Sequence, residues 1–293
     1  MNCSVCNTTL DRDMQYCPKC GTRANSGAGQ NNPGVPPVIV PKKSGMSTGC
    51  IVALVIGAVC SIPALGILAA ILFPAISSAR LHANAAAVSS KGREICIGIV
   101  SANTEREPLG LPSVWPKTAL PAGTTSQKKD ISSTVFKTST EYFKALADEE
   151  NYGTDKWSPY ISGFDYTRLA GAGVPPCTDR NLTAANNMWS IAANLTDADN
   201  DVIPILITRN VDVKEIERVV NQGYTASDFN TRINVGSGEY TAPFGSQMVV
   251  VIRKGGGVFM FRSRQATLGN VFGRQEFPPR DPSKPKIVYL MPQ

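Results

Sequence analysis

Hydrophobic positions are spread unevenly along the chain. No charged residue lies between Lys43 and Arg80, and the heart of that gap, CIVALVIGAVCSIPALGILAAILFPAI at residues 50–76, has no polar face in any helix it forms. About 20 apolar residues suffice to cross the hydrocarbon core of a bilayer, so this stretch predicts one transmembrane helix with room for tilt. A buried core helix is the competing reading, but a core helix of such length keeps a polar side. A cleaved signal peptide fits poorly, because the apolar run is longer than the ~7–15 residues of a signal h-region. Pro63 and Pro74 predict kinks rather than ends, since lipid forces the backbone to satisfy its hydrogen bonds internally.

After Ile76 the pattern turns from continuous to periodic. In SSARLHANAAAVSSKGREICIGIVSANTERE, Leu81, Ala85, Val88, Gly92, Ile95 and Ile99 recur at spacings of four and three, which stacks them on one helical face. The alanine content favours helix, while Gly92 and Gly98 each weaken it by ~1 kcal/mol. One helix of roughly 50 residues is expected, transmembrane over 50–76 and amphipathic over 77–102. Its apolar stripe is the expected surface for packing with other helices.

Beyond residue 103 the texture becomes that of a soluble domain. STEYFKALADEEN (139–151) predicts a helix beginning at Ser139, with Tyr142, Phe143 and Leu146 on one face. Asn186–Leu195 reads as a further helix. Strands are expected at Val202–Arg209, Gln247–Lys254, Val258–Arg264 and Lys286–Met291. The middle two form a hairpin about Gly255–Gly257, where glycine permits positive φ. Helices first and antiparallel strands last place residues 103–293 in the α+β class.

The N-terminus carries the clearest chemistry. Of eight cysteines, Cys3, Cys6, Cys17 and Cys20 form two CxxC pairs, and Cys17-Pro-Lys-Cys20-Gly has the shape of a zinc knuckle. Four thiolates at this spacing close a tetrahedron around one structural Zn2+, and the metal supplies folding energy that so short a module lacks. Two redox motifs or two disulfides are the competing readings, and neither explains both pairs within residues 1–22. Four protein ligands leave no open position, so the ribbon predicts a protein contact or cap, with a cytosolic protein as the candidate partner. Residues 23–49, rich in Gly, Pro, Ser and Asn, read as a flexible linker. Zinc thiolates persist where thiols stay reduced. The expected orientation is therefore N-terminus cytosolic and C-terminal domain extracytoplasmic, in a single-pass protein of the cell inner membrane. The flanking lysines and arginines do not decide the orientation. Net charge is +6 and diffuse, which does not argue for nucleic acid.

Other chemistry is sparse. Asp197, Asp199 and Asp201 alternate in LTDADNDVIP and could offer three oxygens to Ca2+. However, Val202 and Thr208 stand where an EF-hand loop has its Gly and distal Glu, so a solvated acidic turn is the preferred reading. The single histidine, His82, and the lack of any nucleophile, metallopeptidase or P-loop motif predict no enzyme. Trp115, Trp157 and Trp189 fit core packing better than a binding surface. Cys96 and Cys177 would be free to pair outside the cytosol, but spacing alone does not bring them together.

At LGILAAILFPAISSARLHANAAAVSSKGREI (65–95) the chain resembles the N-terminal helix of bacterial type IV pilins and type II secretion pseudopilins. There a membrane-spanning segment with this Pro runs into an amphipathic stretch that begins with small and basic residues. STEYFKAL, ILITRNV and VVVIRKGGGVFMF also look like segments of pseudopilin-like proteins. The resemblance implies a pilin-like α+β fold and a non-catalytic role as a structural or assembly component, with other pilin-like helices or secretion components as partners. It also implies a calcium loop of the kind some pseudopilins hold. The sequence departs from the family where precursors are cut and polymerised: the mature start would fall near Ala53 and the glutamate near Gly57, neither the cleavage motif nor the glutamate is there, and the ribbon takes the place of the short leader. The expectation is a pilin-like protein kept in the membrane with its cytosolic module uncleaved. The alternative is a membrane-tethered sensor or binding protein with an outer ligand domain.

Overall fold

The computed structural model describes residues 8–9, 16–17, 19–20, 48–120, 131–147, 165–177, 181–236 and 241–292; for 48–69 it gives the path of a helix without its side chains. The chain divides into two units, Met1–Gly66 and Ile67–Gln293. In the first, Cys17 is buried, Lys19 and Cys20 form an exposed turn, and Thr9 and Tyr16 each take part in an isolated bridge. Cys3, Cys6 and nearly all of the linker at 23–49 lie outside the described residues.

Helix α1 runs without a break over Thr48–Arg106, longer at its C-terminal end than the periodicity predicts. Neither proline ends it. Among the described residues no helix is long and apolar enough to cross a membrane; the side chains of 50–69, most of the apolar block, lie outside that set.

The second unit is α+β, and its centre is a five-stranded antiparallel sheet in the order β4-β3-β2-β1-β5. The strands are β1 (Trp189–Ala193), β2 (Pro204–Thr208), β3 (Met248–Arg253), β4 (Val258–Arg262) and β5 (Val288–Leu290). Every residue of β1 and β2 is buried, as are the first five of β3. Sequences such as PILI and MVVVI are apolar throughout because both faces of the sheet are covered, so alternation has no polar side to show. On one face, Gly92 of α1 lies against Trp189 of β1 and Ile252 of β3. Pairing places Ile191, Leu206 and Ile252 on that same face. On the other face, Arg253 Nε donates to Val271 O of α4 (Leu268–Phe272) at 2.7 Å. Helix α3 (Lys214–Gln222) adds Ile216, Val219 and Val220 to the same core.

Local signals explain most elements. The β3–β4 hairpin turns at Gly256, whose φ of +79° demands glycine. Helix α2 (Ser139–Ala147) starts where expected, but its cap is Thr138. The Thr138 hydroxyl accepts from Glu141 N, and the Glu141 carboxylate accepts from Thr138 N, a reciprocal capping box. Ser139 instead donates its hydroxyl to Trp189 O at 2.8 Å, tying α2 to β1. The helix expected over Asn186–Leu195 is a correction, because Trp189–Ala193 is strand β1. Pairing with both β2 and β5 outweighs the helix propensity of its alanines.

Candidate functional site

The spacing-derived stripe of α1 is real but faces inward. Ala85, Val88, Ile95 and Ile99 are at most 1 % exposed, Gly92 is buried and Leu81 is half-buried against the same core. Small residues at 85 and 92 bring the helix close to the sheet. A Cβ added at Gly92 would stand 2.6 Å from Trp189 Cη2 and 2.9 Å from Ile252 Cγ1. Polar ties surround this contact: Lys91 Nζ donates to Thr167 O and Ala170 O, and Arg168 pairs with Glu94 at 2.8 Å. The expectation that Leu81, Ala85, Val88, Gly92, Ile95 and Ile99 pack with other helices is therefore corrected, because the domain's own core covers them, the sheet at Gly92 and the loop around Gly171 at Val88. What α1 leaves open is its other side. Ile97 is 54 % exposed, Val100 is exposed beside it, and Ile71, Leu72, Phe73 and Ile76 are exposed nearer the apolar block.

The acidic turn holds a cation of its own. The Lys254 ammonium donates to Asp197 O at 2.8 Å, Asp199 O at 2.7 Å and Asp201 Oδ1 at 3.1 Å. The three carboxylates do not converge. Asp197 accepts from the Trp115 indole at 2.9 Å, Asp199 pairs with Arg280, and Asp201 turns to Lys254. Burial alone would raise the Asp199 pKa, but hydrogen bonds from Arg280 and Thr196 hold it below the usual carboxylate value. Arg280 also donates to Asn194 O and Pro285 O, which fastens the turn to the segment leading into β5. Among the described residues no group of three His, Cys, Asp or Glu side chains is placed to hold a metal ion.

The remaining chemistry-bearing residues are scattered. Cys96 and Cys177 are buried thiols that do not bond to each other. Burial pushes Cys96 up to about 11, and its Sγ donates to Arg253 O at 3.7 Å. Trp115 and Trp189 are core residues, and Trp157 lies outside the described residues.

Two surface cavities stand out. One, of about 460 Å³, lies between α3 and residues 280–288 and is lined by Lys214, Arg218, Lys284 and Lys286 among others. Its Glu217 carboxyl is pushed up by burial and accepts from Tyr289 N. The other lies where α1 meets the end of β4. There Arg262 Nη2 donates to Ser78 Oγ at 2.8 Å and lies 3.1 Å from His82 Nε2. Arginine has only donors, so a hydrogen bond between the two is accepted by His82 Nε2. Nothing in the sequence pointed to this contact, because 184 residues separate Arg262 from Ser78 and arginine at a strand end is an ordinary solvated position. Comparison with protein-family models, with curated proteins and with solved structures gives no match to this chain.

Proposed function

We propose that the chain is a non-catalytic, membrane-anchored pilin-like protein, a structural or assembly component related to type II secretion and type IV pilus systems. One observation carries the reading. The C-terminal half of a long N-terminal helix lies on an antiparallel sheet, while its N-terminal half has the uncharged sequence 50–76. A soluble domain has no need of that apolar half, whereas a lipid-embedded helix does. The inward stripe is then the joint between anchor and domain. Contacts with neighbouring subunits fall to the outer side of α1, around Ile97 and Val100. The ribbon, with Cys3, Cys6, Cys17 and Cys20 as ligands to one structural zinc, stays on the cytosolic side as a docking module. The described part of the set, a buried Cys17 followed by a turn at Cys20, suits a knuckle.

Cysteine crosslinking in membranes tests the reading. Ile97→Cys and Val100→Cys should give ladders of crosslinked chains, and Val88→Cys should not. A product trimmed by about 50 residues on SDS-PAGE would defeat the claim that the ribbon is retained. The basic cavity beside α3 favours one second reading, a tethered binding protein for an anionic ligand. It would be preferred if Ile97→Cys gave only monomers and the chain bound a carboxylate ligand through Lys214 and Lys284.

A further inference from the structure

The cavity where α1 meets β4 has two connected parts. One, of about 400 Å³, is lined by Ser77, Ser78, Leu81, Gln247, Arg262, Ser263 and Arg264. The other, of about 410 Å³, shares Ser77, Leu81 and Gln247 and adds Phe73, Ile76, Arg80 and Asn84. Phe73, Ile76, Ser77, Arg80, Leu81 and Asn84 follow the three-and-four spacing of one helix face. That face changes along its length. Phe73, 78 % exposed, and Ile76 are apolar, and about one helical turn on from Ile76 it reaches Arg80, with Arg262 and Arg264 across the cleft.

The charge here is unbalanced. Among the described residues Arg80, Arg262 and Arg264 have no carboxylate partner. Arg262 uses one amino group on Ser78 and His82, and its other N–H groups meet no acceptor among the described residues. The cavity beside α3 is more mixed: Arg218 is paired with Glu215 and Asp228, Arg280 with Asp199, and Glu217 and Asp281 stand in its lining among Lys214, Lys284 and Lys286. Guanidinium groups, the hydroxyls of Ser78 and Ser263 and the Gln247 amide around an open cleft suit a phosphate oxyanion, while Ser77 spends its hydroxyl on Pro74 O. An apolar stripe leading away from it on the helix suits an acyl chain.

We infer that this cleft binds an anionic phospholipid, with the phosphodiester among Arg80, Arg262 and Arg264 and an acyl chain along Phe73 and Ile76. The inference rests on the proposal that α1 enters a membrane, which would set the cleft at headgroup level. Each arginine near an anionic surface is worth about 1 kcal/mol, so losing two should weaken retention roughly tenfold to thirtyfold.

Native mass spectrometry of the full chain, released from neutral detergent after loading with dioleoylphosphatidylglycerol or dioleoylphosphatidylcholine, tests it. The unaltered chain should retain one phosphatidylglycerol under conditions that strip phosphatidylcholine. The Arg80→Gln/Arg264→Gln pair, which leaves the Arg262 brace in place, should lose that retention. A Lys214→Gln/Lys284→Gln pair, equal in charge removed, should not. Equal retention by the Arg80/Arg264 pair overturns the inference. So does displacement of the lipid by millimolar inorganic phosphate, which would make this a site for the free anion. Carbonate extraction of cell membranes separates the two failures: a chain released into the wash defeats the membrane proposal itself, whereas one that stays while both pairs retain lipid alike defeats only the site.

Discussion

Gly92→Ala sets two physical effects of opposite sign against each other. Seen as a helix position alone, the substitution should stabilise α1 by about 0.8–1.0 kcal/mol, the usual helix-interior difference between the two residues. Packing against the sheet argues the reverse. The new Cβ would stand 2.6 Å from Trp189 Cη2, and 2.9 Å from both Trp189 Cζ2 and Ile252 Cγ1. Trp189 has little freedom to retreat: it is fully buried, its indole donates to Arg168 O at 3.1 Å, and its main chain is held within the sheet. Forcing a methyl group into a packed core costs about 1–3 kcal/mol, so the net change should be a loss of roughly 0–2 kcal/mol. For a domain of this size each kcal/mol moves Tm by about 2–4 °C. Thermal unfolding of the full chain in neutral detergent, followed by near-UV circular dichroism, reads the shift. A double-mutant cycle sharpens the result, because Trp189→Phe removes Cη2 and Cζ2, two of the three closest atoms, and leaves only the flexible Ile252 side chain to give way. In that background Gly92→Ala should become neutral or stabilising, with a coupling of about 1 kcal/mol or more. A gain near 1 kcal/mol for Gly92→Ala alone, with no coupling to Trp189→Phe, would refute the close seating of α1.

Five further outcomes follow. Arg280→Met should cost about 3–5 kcal/mol in chemical unfolding, because it strands a carboxylate in a pair whose side chains are 6 % and 9 % exposed. Asp199 has its pKa lowered in the folded chain, so its contribution is complete above the unfolded value of about 4 and fades as pH falls through the folded one; Asp199→Asn should flatten the acid limb of a stability-versus-pH curve. Because the Lys254 ammonium already occupies the acidic turn, millimolar calcium should leave Tm unchanged, while Lys254→Met should lower stability by about 1–3 kcal/mol; a calcium-dependent rise in Tm would contradict this. Cys96, buried with its thiol raised to about 11, should resist alkylation near neutral pH until the domain unfolds, as mass spectrometry of the labelled chain would show. Purified chain should carry one zinc by elemental analysis, and Cys17→Ser should release it.

How far the sequence revealed the fold depended on whether a signal was local. The β3–β4 hairpin was legible because two apolar runs flank a glycine triplet, and the turn does place Gly256 at positive φ. Helix α2 was legible from its capping pattern, with an error of one residue at the cap. Strand β1 was not. WSIAA has no alternation, because both faces of the sheet are buried, and its identity as a strand comes from partners elsewhere in the chain. Helix α3 was overlooked although its signal was present: Ile216, Val219 and Val220 stand at helical spacing behind acidic residues Glu215 and Glu217. The site was harder to read still. Arg262 to Ser78 and Arg280 to Asp199 are long-range contacts between residues that each look like ordinary solvated polar positions.

Periodicity along α1 identified the buried face but not what buries it. An apolar stripe at spacings of three and four states only that water is excluded there, and a neighbouring subunit or the chain's own sheet satisfies it equally. Contacts at Gly92 and Cys96 assign the face to the sheet, and Lys91 ties it to the loop carbonyls of Thr167 and Ala170. That assignment moves the intermolecular question to the residues α1 leaves outside. These divide along the helix. Phe73 and Ile76 lead into an arginine-lined cleft suited to a headgroup, whereas Ile97 and Val100 lie farther along, beyond the reach of a lipid chain anchored at Arg80. The two proposals thus put lipid contact and subunit contact on separate stretches of one helix. Substitutions at Arg80 and at Ile97 should therefore affect lipid retention and crosslinking independently, and a variant at either position that disturbed both would show that the two surfaces are one.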